Sequence, residues 1–230
     1  MIEAVIIGNF KSLENVTLRL GKFNCLVGMN GAGKSTILQA LDLLTQLMHG
    51  TVDQWLEARG WASKDLYCRT GGSRAVPRGI PLTIGLRLDD GRQLSWGGIL
   101  SHGNMRITAE KALLENKPIF VVLNNKYDLL GQKHEITQDY TGSLLASLKE
   151  NLLPPELKTL RDTIRNIRSL ELLSPHLLRK RSRAQDKDIG AGGEKLSGFL
   201  ATLKGEQKAQ LLAVLCQFYP QLRDFRVANV

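Results

Sequence analysis

Near the start of the chain stands Gly28-Met29-Asn30-Gly31-Ala32-Gly33-Lys34-Ser35, followed by Thr36. The spacing is GxxxxGK[ST], and each residue type has a task. Glycines let the backbone turn tightly, so the successive N–H groups of Asn30, Gly31, Ala32 and Gly33 point inward at phosphate oxygens. A helix starting there presents its positive end to the same anion. Lys34 reaches the β and γ phosphates, the Ser35 hydroxyl completes a Mg²⁺ shell, and Thr36 supports the α phosphate. The chemistry implied is nucleotide binding, with a nucleoside triphosphate and Mg²⁺ as the expected ligands.

A second stretch speaks for another chemistry. Asn125-Lys126-Tyr127-Asp128 spells NKxD after the apolar run "IFVVL", about a hundred residues beyond the loop. In GTPases such a motif reads guanine. No DxxG lies between the two motifs to hold Mg²⁺ and sense the γ phosphate, and four residues with one free position are weak alone. A strand with a polar turn accounts for them as well, and a GTPase remains the alternative.

The elements around the loop suit it. "IEAVIIGNF" and "VTLRL" have strand character, and "FNCLVG" (Phe23 to Gly28) predicts an apolar strand running into the loop. Ile37, Leu38, Leu41, Leu44, Leu47 and Met48 recur at helical spacing from Ser35 to about His49, where Gly50 is a stop signal. Trp55 and Trp61 read as packing residues. Alternating runs flank Asp89-Asp90-Gly91, a hairpin signal, and "NMRITAE" adds a third strand. From Ser143 the pattern is helical, broken at Pro154-Pro155 and Pro175; residues 176–195 form a polar, basic loop. The expected fold is α/β: a P-loop core over 1–50, an inserted antiparallel subdomain over 51–142, a helical arm over 143–220 and a core strand beginning at 221–230.

"NFKSL" before the second strand, then "LVGMNGAGKST", resembles the opening of the ABC-type ATPases related to RecF, the structural-maintenance-of-chromosomes heads and the OLD nucleases. "LLSPHLLRKRS…IGAGGEKLSGFLATLK" resembles a segment of the AAA_21 group, with Gly192 and Gly193 near its glycine, Lys195 in place of its asparagine, and Leu196 and Leu200 matching. The resemblance implies a P-loop NTPase of ABC-type head architecture that hydrolyses ATP when two heads sandwich two nucleotides. It implies that Lys11 lies near the nucleotide, that a Q-loop glutamine (Gln138, then Gln132) reaches the metal, and that a second head is a partner. DNA repair or phage defence, beside a nuclease or other effector, is the setting common in that group.

A complete head also needs four apolar residues followed by Asp-Glu, to support Mg²⁺ and activate water. "LRLDD" carries Arg87 and turns at a glycine; "IFVVLNN" ends in amides; no LSGGQ-like signature is present. The catalytic residues are therefore unassigned, and the 230 residues read as the N-terminal part of a longer ATPase. Alone, it is expected to bind nucleotide and hydrolyse it slowly or not at all.

The net charge of +9 suggests a polyanion partner. Arg161, Arg165 and Arg168 share a helix face, and Arg179 to Arg183 and Lys187 follow; DNA and plain solvation compete as explanations. A nucleic-acid-binding module with a vestigial P-loop is thus a second alternative. Cys25, Cys68 and Cys216 form neither a disulfide framework nor a zinc site. Cys25 is expected to be buried, and the setting cytoplasmic. No apolar run reaches the roughly 18 residues of a membrane span, and no secretory signal is legible.

Overall fold

The computed structural model describes residues 1–68, 79–101, 103–170, 175–180, 182, 188–190 and 192–226. They form two compact units, residues 1–167 and 168–230.

The first unit is built on one antiparallel sheet of eight strands, in the order β2-β1-β3-β4-β5-β6-β7-β8. β1 (Ile2–Phe10) and β2 (Leu13–Arg19) form its first hairpin. β3 (Gly79–Arg87), β4 (Gln93–Ser101), β5 (Ile107–Leu114) and β6 (Lys117–Leu123) continue it, and β7 (Lys126–Leu129) and β8 (Gln132–Glu135) finish it. The opening strands and the inserted hairpins are therefore one sheet. The expected division between 1–50 and 51–142 is not a division of the structure, because β1 pairs directly with β3.

Alternation along the strands gives the sheet one apolar face: Val5 and Ile7 on β1, Ile80, Leu82 and Ile84 on β3, Leu94 and Trp96 on β4, and Phe120 on β6 are buried. Helix α1 (Lys34–His49) presents Ala40, Leu43, Leu44, Leu47 and Met48 to this core. Each such leucine contributes about 1.5–3 kcal/mol by leaving water. Gly50 ends α1 in the left-handed conformation, φ 71°, as its position suggested. α2 (Val52–Ala58) and α3 (Leu144–Ser147) flank α1, and α4 (Pro155–Arg165) packs along it through Leu157, Leu160 and Ile164. The first unit thus runs past Ser143, where a separate arm was expected to begin.

The strand expected at Phe23 to Gly28 is absent. The stretch pairs with no described strand, and Phe23 and Val27 are 87% and 89% exposed. An apolar strand needs neighbours to take its N–H and C=O groups, and no described strand lies beside this one. Cys25 is exposed with it, not buried.

The second unit contains α5 (Pro175–Leu178), α6 (Leu196–Thr202) and α7 (Gly205–Phe218). Within it the Glu194 carboxylate accepts the Gly192 N–H at 2.9 Å, closing the glycine turn before α6. Residues 221–226 are not a strand, and 227–230 lie outside the described residues, as do Arg181, Arg183 and Lys187.

Candidate nucleotide-binding loop

The loop enters α1 through two glycines with positive φ, Gly31 at 82° and Gly33 at 89°. A Cβ on Gly33 would also come within 3.3 Å of the Ser12 hydroxyl, so glycine is required there on two counts. The first turn of α1 carries no side-chain cap and no acidic residue. Its leading N–H groups therefore face outward without internal partners, at the positive end of a 16-residue helix. Lys34 Nζ lies back across the loop, donating to the carbonyls of Gly28 (2.7 Å) and Met29 (2.8 Å). Ser35 is exposed beside it. The Ala32 N–H is turned back onto the Met29 carbonyl (3.2 Å), and the first N–H groups of α1 stand with an ammonium and a hydroxyl beside them, a set that suits a phosphate chain and one hydrated Mg²⁺ on Ser35. Lys34 would neutralise phosphate charge, and the metal would supply charge stabilisation on the phosphate oxygens.

The "NFKS" corner is held against this loop. Asn9 takes the left-handed conformation, φ 53°, which asparagine tolerates. Its amide donates to the Gly79 carbonyl (2.8 Å) and its side-chain oxygen accepts the Cys68 N–H (3.3 Å). Lys11 and Ser12 make the two-residue turn between β1 and β2, with Phe10 opposite Leu13. The Ser12 hydroxyl donates to Thr36 Oγ1 at 3.2 Å. Lys11 Nζ donates to Gln39 Oε1 (3.0 Å) and sits 3.0 Å from the centroid of the Trp61 ring. Burial, followed by the positive Arg59, pushes Lys11 down to about 8, and Asp65 opposes that shift. Lys11 thus stands beside α1, one residue before the Ser12 that touches Thr36. Gln39 and Trp61 carried no chemical signal in the sequence. Trp61 is in fact a packing residue in part, edge-on to Trp55 with centroids 5.3 Å apart.

The glutamines do not reach the loop. Gln138 donates to the Ser147 carbonyl (3.5 Å), in a segment whose Thr141 and Gly142 lie against Gly50 and Leu47. That is the far end of α1, about 20 Å from Ser35 at 1.5 Å per residue, so Gln138 stands at the opposite end of the helix from the loop. Gln132 opens the edge strand β8.

NKYD is a hairpin. Asn124 and Asn125, with φ 51° and 58°, are the two turn residues joining β6 to β7, the positive-φ pair a tight hairpin requires. Lys126 pairs with Glu135 at 3.4 Å, and Asp128 accepts the Gly131 N–H at 2.7 Å in the next turn. Five strand steps separate β7 from β1, about 24 Å at 4.8 Å per step. The motif and the loop do not share a site.

The arginine stripe is also internal in part. Arg161 is 4% exposed and donates to the Leu148 carbonyl; Arg165 donates to Met48 O at 2.7 Å and Ala146 O at 3.2 Å. Burial pushes the Arg165 guanidinium down from its usual range. These two arginines tie off carbonyls of α1 and its neighbours rather than line a surface. Arg168, Arg179 and Lys180 are exposed.

Loop, lysine and hydroxyl at the head of a helix define a P-loop of the nucleoside-triphosphatase class. Residues 1–54 match the AAA ATPase domain family, AAA_15. An OLD nuclease of Thermus scotoductus is 48% identical over 44 residues, 19% of this chain and 8% of that protein. The ferric enterobactin transport ATP-binding protein FepC of Escherichia coli is 38% identical over 69 residues, 28% of this chain and 25% of that protein. An SMC ATPase structure overlaps 51% of this chain and 70% of that chain, at 19% identity and a TM-score of 0.35. RecF with ATP overlaps 51% of this chain and 28% of that chain, at 17% identity and a TM-score of 0.32. By sequence, the N-terminal segment is similar to ATPases of the AAA and ABC type. They span a small part of each curated relative. No helix among the described residues is long and apolar enough to cross a membrane.

Proposed function

We propose that this chain binds ATP with Mg²⁺ through Asn30 to Thr36 and serves as part of an ABC- or RecF-like ATPase head. The observation that carries this is the uncapped, acid-free start of α1, fed by a left-handed glycine pair and carrying Lys34 and Ser35. In that role the backbone N–H groups and Lys34 hold the phosphates, and Ser35 holds the metal. Ser12 fixes Thr36 at the α-phosphate end.

Hydrolysis needs a carboxylate to orient the attacking water, and no strand of this sequence ends in Asp-Glu. That group comes, in this proposal, from a segment that completes the head and from a second head closing over the nucleotide. The uncovered apolar stretch Phe23 to Met29 and the 42% exposed Leu38 support completion, because a further sheet would cover them. DNA repair or phage defence and a nuclease partner belong to the same proposal and rest on the resemblance to RecF and OLD proteins; a cytoplasmic setting rests on the odd number and wide spacing of the three cysteines in the sequence.

The test is competition at equilibrium. A fluorescent ATP analogue with Mg²⁺ is bound to the chain and displaced with ATP or GTP, with Lys34→Ala as the blank. ATP should displace it and GTP should do so no better. Displacement by GTP alone, or equal signal from the blank, would contradict the proposal. Phosphate release by the chain alone should be near background.

A further inference from the structure

Lys11 is an unusual ammonium. A tryptophan face and an amide oxygen hold it, where most lysines of a folded chain point to water or a carboxylate. Its backbone is anchored, with the Lys11 N–H on the Leu66 carbonyl at 2.8 Å. The side chain is the movable part. The next residue, Ser12, touches Thr36 and Gly33, so Lys11 stands between the start of α1 and the Trp61 ring. That wall is rigid: Trp61 packs on Trp55, whose indole N–H donates to Asp42 Oδ2 at 2.7 Å, and Arg59 binds the same oxygen at 2.7 Å.

Building on the ATP-binding proposal, we infer that the face of Trp61 now covered by Lys11 is the seat of the nucleobase, and that Lys11 moves from the ring to the α phosphate when nucleotide binds. A base leaving the loop past Thr36 meets this aromatic face beside the β1–β2 turn. Two planar π systems stack well, and stacking takes any base because every base has a π face. The ammonium exchanges a cation–π contact and one amide oxygen for a phosphate anion, a stronger partner. Its partial burial and the nearby Arg59 disfavour its charge, and an anion beside it offsets both. The expectation is weak discrimination between ATP and GTP, since the one guanine-reading motif in the chain is a distant hairpin.

The experiment measures ATP, GTP and inorganic tripolyphosphate binding to the full 230-residue chain, by calorimetry, for the unaltered protein, Trp61→Ala, Trp61→Phe and Lys34→Ala. Trp61→Ala should weaken ATP and GTP alike, by roughly 5- to 150-fold, and leave tripolyphosphate unchanged; Trp61→Phe should recover most of the loss. ATP should also quench indole fluorescence in the unaltered protein more than in Trp61→Phe. If Trp61→Ala weakens tripolyphosphate as much as ATP, the residue is structural and the inference fails. If ATP affinity ignores Trp61, it fails too. If the unaltered chain binds neither ATP nor tripolyphosphate, the ATP-binding proposal falls and the inference falls with it.

Discussion

The two ends of α1 are opposites. At its C-terminal end every neighbour closes off a polar group. Gly50 donates to Gln46 O, Ser143 to Leu47 O, and Arg165 to Met48 O. Beyond Ser143 a fully buried carboxylate, Glu110, accepts from Trp96 Nε1, the Ser143 hydroxyl and the Leu144 N–H. At the N-terminal end the helix starts bare, beside an exposed glycine loop. Unmet backbone groups cost stability when buried and are tolerated when water or a ligand can reach them. One helix is thus finished where it supports the fold and left open where an anion can bind. Exposure alone does not make a site: the Asn124-Asn125 turn is as open, yet its donors and acceptors belong to its own hairpin.

The contrast can be broken first at the closed end. Glu110→Ala leaves three donors without their acceptor and should cost about 3–5 kcal/mol in denaturant unfolding. Glu110→Gln, which keeps an acceptor oxygen, should cost less. Loop affinity per folded molecule should not change. At the open end Lys34→Ala should lower ATP affinity roughly 100-fold or more and change unfolding stability by only about 0.5 kcal/mol or less.

Lys11 gives a smaller, pH-dependent effect. Its folded value of about 8 lies below the 10.5 of a free lysine. Between the two, the unfolded chain holds a proton that the folded protein has shed, so stability rises with pH across that window. The groups facing it are Arg59 and Asp65. Lys11→Met should flatten that rise in unfolding curves taken at pH 7 to 10. Smallest of all, Asp128→Ala should leave both ATP and GTP affinity unchanged, since its carboxylate serves only the Gly131 turn.

The loop, α1 and its Gly50 stop, and the hairpins at Asp89-Asp90-Gly91 and β5 were legible because periodicity and glycine placement are local signals. What was not legible depended on contacts remote in sequence. Glu110 carries no local sign of burial, and the cause is remote: Ala109 takes a left-handed φ of 50° in a bulge opposite Gly97 to Ile99. The bulge reverses the alternation, so Ile107 and Glu110, an odd distance apart, both point inward. Arg161 and Arg165 kept the spacing of a solvent stripe, and only the docking of α4 on α1 shows them serving carbonyls. Trp61 gains its meaning from Lys11, fifty residues earlier. The strand expected at Phe23 to Gly28 has the right composition and no neighbour among the described residues.

The most direct test is amide hydrogen exchange on the chain with and without ATP and Mg²⁺. Protection should appear at residues 28–37, at the adjoining turn 11–13 and around Trp61, with exchange at 124–131 unchanged. Protection at 124–131, or none at 28–37 when ATP is bound, would contradict it.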